Sequence, residues 1–220
     1  LELAKLPTPL ATLEKFDIPN FDGNIWVKRD ELTGTEVSGN KIRKLEFSIA
    51  HALGEGCNTL ITCGGLQSNH CRATAILGVR LGLKVHLILR GEKPALPEGN
   101  LLLDYLAGAE ISFLRQEEWG DHENLAEVLR KQYSESGDKA HFIPIGASDD
   151  IGLWGYIAGF EELLEDFKKN DIDPDYVITA TGSGGTQGGL VVGAHLFGSR
   201  AKIRAFNVCD TASYFEKKIK

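Results

Sequence analysis

Residues 175–189 constrain the fold more than any other stretch of the chain. Asp175-Tyr176-Val177-Ile178-Thr179-Ala180 reads as a buried strand, Thr181-Gly182-Ser183-Gly184-Gly185-Thr186-Gln187-Gly188-Gly189 follows at once, and an apolar run begins at Leu190. Strand, glycine-rich turn and helix start form one unit of a parallel α/β sheet. The same unit aims several backbone N–H groups at one anion, aided by the helix dipole. Ser183 and Thr186 add hydroxyl donors. A phosphate held there gains roughly 1 kcal/mol from each charge-assisted hydrogen bond. A plain flexible turn is the competing reading, but glycines and hydroxyls this dense after a buried strand favour a ligand.

A nucleotide is one candidate for that ligand. The dinucleotide fingerprint needs glycines at relative positions one, three and six, and counting from Gly182 the sixth position is Gln187. No Gly-Lys-Ser/Thr closes the loop, so the P-loop pattern fails as well. Asp210 follows the expected strand 202–208, where a ribose-binding carboxylate would sit. A nucleotide-binding oxidoreductase therefore stays open as an alternative.

A second segment, Ser38-Gly39-Asn40-Lys41-Ile42-Arg43-Lys44-Leu45-Glu46, places a lysine just after a glycine turn, with another lysine three residues on. Ile42, Leu45, Ile49 and Leu53 recur at helical spacing, which predicts one core-facing side. Lys41 and Lys44 then lie together elsewhere on the helix, near the end where N–H groups are unpaired. Such a place suits an amine that meets a carbonyl cofactor close to a phosphate. A solvated basic face is the blander reading. In a third segment, strand Thr59-Leu60-Ile61-Thr62-Cys63 runs into Gly64-Gly65-Leu66-Gln67-Ser68-Asn69-His70, and a helix is expected over 71–81. Polar residues at the carboxyl end of a parallel strand are where such sheets bind ligands. Ser68 or Asn69 can equally be a helix cap, the stronger reading for the segment by itself.

The remaining sequence alternates strands and helices without repeats. Strands are expected near 25–28, 84–89, 109–114, 141–145, 176–181 and 202–208. Helices are expected near 41–53, 99–107, 121–136, 152–168, 187–197 and 211–219. Glu161, Glu162, Glu165, Asp166, Lys168 and Lys169 read as a solvated helix face. His51, His86, His122, His141 and His195 stand alone and receive no function. With 220 residues the chain can bury a sizeable core in one or two domains. A net charge of −7 lacks the basic face of a general nucleic-acid partner. The apolar runs are far too short for a membrane span, and none has a signal-peptide pattern. Cys57, Cys63, Cys71 and Cys209 have no metal-type spacing; Cys57, Cys63 and Cys209 lie in or beside expected strands, so reduced core thiols in a cytoplasmic compartment are expected. A removed organelle-targeting segment is compatible with a chain that starts at Leu1.

Together the three segments resemble the D-cysteine desulfhydrase and 1-aminocyclopropane-1-carboxylate (ACC) deaminase family, a branch of the tryptophan-synthase-β-like, fold type II pyridoxal-phosphate enzymes. The likeness starts at Pro7-Thr8-Pro9-Leu10 and takes in Val27-Lys28-Arg29-Asp30-Glu31-Leu32-Thr33, Gly99-Asn100-Leu101-Leu102-Leu103-Asp104 and Ile143-Pro144-Ile145-Gly146-Ala147-Ser148. It implies an α/β fold of two parallel-sheet αβα domains. A larger cofactor-binding domain would comprise 1–45 and 159–220, and a smaller α/β domain 46–158. The family pattern continues for on the order of a hundred further residues, leaving the larger domain incomplete in this chain.

By the same resemblance Lys41 carries pyridoxal 5'-phosphate as a Schiff base and Lys44 lies near its phosphate. Asn69 hydrogen-bonds the pyridine 3′-oxygen. Ser68, Asn69 and His70 border the substrate carboxylate, with Lys41 and Ser68 as the catalytic pair. Thr181, Gly182, Ser183, Gly184, Gly185 and Thr186 cradle the phosphate. Arg43 and Lys44, with partial burial, are expected to push Lys41 toward its neutral, nucleophilic form. The implied function is a lyase or deaminase acting on a small amino acid, as a homodimer without metal. D-cysteine would give pyruvate, ammonia and sulfide. ACC ring opening is the close rival, and a non-catalytic cofactor-binding relative is the third reading.

Overall fold

The computed structural model describes residues 1–13, 19 and 21–219, without the side chain at 218. Its centre is β3 (Thr59–Gly65), buried along six of its seven residues. Such a strand needs apolar cover on both faces, which parallel sheets obtain from flanking helices. Parallel neighbours stand on both sides of it. β4 (Lys84–Arg90) leads on to β5 (Glu110–Leu114), and β6 (Ala140–Ile143) closes the other side, giving the order β5-β4-β3-β6. α1 (Lys41–Gly54), α2 (Asn69–Arg80), α3 (Gly99–Leu106) and α4 (His122–Glu135) alternate with these strands. A second parallel pair, β7 (Tyr176–Thr181) with β8 (Lys202–Asn207), is accompanied by α5 (Trp154–Asn170), α6 (Gly185–Leu196) and α7 (Ala212–Ile219). Near the start, β1 (Leu10–Thr12) pairs antiparallel with β2 (Trp26–Lys28). Among the described residues no helix is long and apolar enough to cross a membrane.

The core stripe of α1 consists of Ile42, Leu45, Ile49 and Ala52, all fully buried, and each large member contributes about 1.5–3 kcal/mol. Leu53, expected inward, is 37% exposed; the stripe drifts to Ala52 because 3.6 residues per turn do not keep a strict four-residue step. The blander reading of a solvated basic face fails, since Arg43 and Lys44 are buried too. Arg43 Nε and Nη2 grip Asp30 at 3.0 and 2.8 Å, and Nη1 and Nη2 each reach Glu162 at 2.9 Å. Lys28 Nζ bonds Asp166 at 2.5 Å, and Tyr156 donates to Asp30 at 2.6 Å. Glu162 and Asp166 are thus not part of a solvated face; only Glu161, Glu165, Lys168 and Lys169 of that run are exposed.

Helix α6 begins at Gly185, two residues before its expected start. A Cβ at Gly189 would lie 2.6 Å from Tyr156 Cβ, and one at Gly193 would lie 2.7 Å from Phe160 Cβ. The later glycines therefore serve a close crossing with α5 rather than a turn. Strand β7, expected to be buried, leaves Tyr176 51% and Ile178 64% exposed, because only its other face packs on the α5–α6 core through Val177. Cys57, Cys63 and Cys71 are buried free thiols, whereas Cys209, expected in the core, is exposed past the end of β8. Four of the histidines taken as isolated have partners. His51 meets His141 edge-on at 5.4 Å, His86 bonds Tyr133 and Ser112, and His122 stacks on Trp119 at 4.6 Å.

Candidate active site

Both polar turns leave the carboxyl ends of parallel strands, one after β3 and one after β7, and α1 starts between them. Gly39, at φ +103°, swings the chain into α1 in a conformation few side-chain-bearing residues adopt. Asn40 occupies the N-cap position but makes no side-chain capping bond. Its amide is spent elsewhere: Nδ2 donates to Thr186 Oγ1 at 2.9 Å, and Oδ1 accepts from Lys41 Nζ at 3.0 Å.

A cavity of about 330 Å³ is lined by Asn40, Lys41, Ser68, His70, Ile145, Gly146, Ala180, Thr181, Gly182, Ser183, Gly184, Thr186 and Val208. A wider groove of about 560 Å³ beside α4 and β6 contains none of the expected site residues. Burial holds the Lys41 amine below its ordinary pKa and so favours the neutral nucleophile. Arg43 is not the cause, since its charge is taken up by Asp30 and Glu162. Lys44 is fully buried and does not line the cavity.

Gly184 caps α6 at φ +92°. The first rung of that helix is Gly188 N–H to Gly184 C=O, 2.8 Å, so the N–H groups of Thr186 and Gln187 have no acceptor in the turn before them. Gly185 N–H is taken by Ser148 Oγ at 3.2 Å, and Ser148 in turn donates to Ser183 Oγ at 2.8 Å. Gly185 therefore braces the cradle from behind and is absent from the lining. Thr181 Oγ1 is buried without a partner among the described residues. The lining holds free donors, one lysine and no carboxylate, a set that fits a phosphate carrying an aldehyde.

On the opposite wall Ser68 caps α2, its Oγ accepting from Cys71 N–H at 3.2 Å. Ser68 and His70 line the cavity, whereas Asn69 is exposed and accepts from Asn100 at 3.0 Å. The structure thus gathers Lys41, Ser68, His70, Thr181, Gly182, Ser183, Gly184 and Thr186, and leaves Lys44, Asn69 and Gly185 outside. It adds Asn40 and Ser148, which sequence reasoning passed over. Asn40 was visible as the lysine's neighbour, but nothing in the order of residues announces a partner at 186.

Residues 1–219 match the family described as pyridoxal-phosphate dependent enzyme. A protein of Arabidopsis thaliana described as the mitochondrial bifunctional D-cysteine desulfhydrase/1-aminocyclopropane-1-carboxylate deaminase is 42% identical over 222 residues, covering 97% of this chain and 55% of its own length. The D-cysteine desulfhydrase of Serratia proteamaculans is 35% identical over 199 residues, covering 88% and 59%. The crystal structure of an ACC deaminase homologue superposes with a TM-score of 0.88 at 31% identity, over all of this chain and 66% of that one. This chain spans a little over half the length of those two curated relatives. A family match over 1–219, reached independently of a cavity that suits a phosphorylated aldehyde, leaves one conclusion: the chain belongs to the pyridoxal-phosphate dependent enzymes.

Proposed function

We propose that this chain supplies the amine and the phosphate cradle of a lyase acting on a small amino acid, with D-cysteine as the leading substrate. The observation that carries the reading is the single cavity in which a desolvated Lys41 amine and the 181–186 donors face one another, joined through Asn40. Lys41 holds the cofactor, and its Nζ moves the substrate's α proton. Ser68, Asn69 and His70 form the wall toward the substrate carboxylate, a reading supported by the place of Ser68 and His70 in the lining. Lys44 stays in the proposal as a buried cation behind the cavity. The cofactor, when bound, supplies the electron sink for the carbanion. The net reaction is D-cysteine plus water to pyruvate, ammonia and hydrogen sulfide. ACC plus water to 2-oxobutanoate and ammonia is the second reading, favoured by the names of the Arabidopsis protein and of the superposed structure.

The division into 46–158 and 1–45 with 159–220 belongs to the same proposal. In its favour, the four-stranded sheet lies within 59–143 and the β7–β8 pair beyond 175. Helices α1 and α5 straddle the two boundaries, so they form the shared seam. A homodimer and a reducing, cytoplasmic-type compartment complete the reading, the latter in keeping with the buried free thiols.

The test is absorbance followed by product analysis. Protein mixed with pyridoxal phosphate should turn yellow, and Lys41→Ala should lose the colour while retaining one cooperative unfolding transition. D-cysteine should release pyruvate and sulfide faster than ACC releases 2-oxobutanoate. Colour without any product would leave a cofactor holder, and a colourless protein stabilised by a nicotinamide nucleotide would overturn the reading.

A further inference from the structure

A glycine can enter a helix from many directions, so something outside Gly39 must fix the one that carries Lys41 into the cavity. A Cβ at Gly39 would meet nothing within 4 Å, so crowding by neighbours does not set its conformation. Hydrogen bonds from the turn Asp30–Leu32 and the residue after it do. The Gly39 N–H donates to Thr33 Oγ1 at 2.9 Å and, at a longer 3.1 Å, to the Asp30 carbonyl. The Thr33 hydroxyl lies 2.8 Å from the Asp30 carbonyl and 3.1 Å from that of Gly39. Its single hydrogen goes to one of these, which leaves its oxygen to serve the Gly39 N–H. Thr33 is fully buried, and its branched side chain has little rotamer freedom.

The same turn holds the other flank of the lysine, since the Asp30 carboxylate grips Arg43 at 3.0 and 2.8 Å. Lys41 thus lies between two residues that 30–33 fastens. Arg72 of α2 donates from Nη2 to the Ser38 carbonyl at 3.2 Å, which secures the chain before Gly39. Asn40 and Lys41 line the cavity, whereas Thr33 stands outside the lining.

We propose that Thr33 is a positioning residue: its hydroxyl, acting through Gly39, fixes where the Lys41 amine enters the cavity and so how fast that amine captures an aldehyde. This rests on the reading of Lys41 as the cofactor-binding amine. The donors of 181–186 sit on other elements, so loss of the hydroxyl misplaces the amine and spares the anion cradle. The Asp30 carbonyl and Arg72 keep their holds, so the chain still folds.

The experiment compares wild type, Thr33→Val and Thr33→Ser as the full chain. Each is mixed with pyridoxal phosphate and quenched at intervals with borohydride, which reduces the carbon–nitrogen bond formed when amine and aldehyde condense and release water. Peptide mass spectrometry then measures the pyridoxyl group on Lys41. Binding of 4′-deoxypyridoxine phosphate, which keeps the phosphate but has a methyl in place of the aldehyde, is measured alongside by calorimetry. Thr33→Val is expected to capture pyridoxal phosphate roughly tenfold more slowly, the value of about one hydrogen bond. It should bind the deoxy analogue like wild type and unfold in one cooperative transition. Thr33→Ser should restore the rate. Thr59→Val, which removes a buried hydroxyl at the opposite end of β3, should not change it. Should valine prevent folding, the Gly39 amide of wild type decides by proton–nitrogen NMR without cofactor: it should be protected from solvent exchange.

A wild-type capture rate in Thr33→Val overturns the proposal, as does a serine variant as slow as the valine one. Equal losses of aldehyde capture and analogue binding would make Thr33 a general support and overturn it too. So would a Gly39 amide that exchanges at the free-chain rate. A wild type that never carries the pyridoxyl group on Lys41 sinks the reading of the lysine itself, and the proposal with it.

Discussion

The side-chain amide of Asn40 donates to the Thr186 hydroxyl at 2.9 Å, joining segments 146 residues apart in the chain. Through its oxygen the same amide holds Lys41 Nζ, so amine and anion cradle share one small group. Because Asn40 does not cap α1, truncating it should spare the helix. Asn40→Ala is expected to fold normally and to retain pyridoxal phosphate roughly tenfold less tightly, the value of about one hydrogen bond. Titrating the cofactor absorbance checks this, and wild-type retention would remove the bridging role.

Glu162 should matter for stability out of proportion to its place in a charged run. Burial pushes its carboxyl up, but hydrogen bonds from Arg43 and Lys28 outweigh burial and hold it at about 2, against an ordinary 4.5. A carboxyl depressed in the folded state stabilises the protein above pH 4.5, and the contribution is lost as pH falls toward 2. Glu162→Ala, which leaves Arg43 buried and half-paired, is expected to cost about 3 kcal/mol at neutral pH in denaturant unfolding. The variant should also lose less stability than wild type between pH 4.5 and 2.

Asp104 has the opposite sign. Its carboxyl is fully buried with no hydrogen-bond partner among the described residues, and burial, opposed by Arg72, raises it to about 7 from 3.8. A raised acid contributes stability below pH 3.8, and that contribution drains away as pH rises through 7. Asp104→Asn should therefore match wild type near pH 4 and gain several degrees of relative melting temperature by pH 8. A melting difference that does not change with pH would contradict this.

Gly155 sets α5 tightly against the backbone of α1. A Cβ there would stand 2.3 Å from the Arg43 carbonyl oxygen and 2.6 Å from Lys44 N, backbone atoms that cannot rotate away. Gly155→Ala is expected to cost about 2–3 kcal/mol. Gly54→Ala is the control, since a Cβ at the end of α1 meets nothing within 4 Å. That change should be neutral or stabilise by about 0.5–1 kcal/mol.

The order of strands and helices was legible because apolar runs and glycine turns are local signals. The resemblance, not any single segment, singled out Lys41, Ser68, His70 and the 181–186 turn, and the structure places most of them around one cavity. What escaped were partners set by the tertiary fold. Arg43 and Glu162 are 119 residues apart and Lys28 and Asp166 are 138 apart, so each ion looks solvated when its own segment is read alone. Thr8, Lys28 and Asp30 stood out only as part of a resemblance; the structure gives them a physical task around Arg43. The three-residue β1 is too short for periodicity to register.

The two walls of the cavity rest on foundations of unequal firmness. Ser68 and His70 follow an inner strand of a four-stranded sheet, while Thr181 ends a strand with one neighbour among the described residues and with Tyr176 and Ile178 exposed on one face. Amides of 177–181 should accordingly exchange with solvent well before those of 60–63. Thermal softening of the pocket would then begin under the phosphate and reach Ser68 and His70 last.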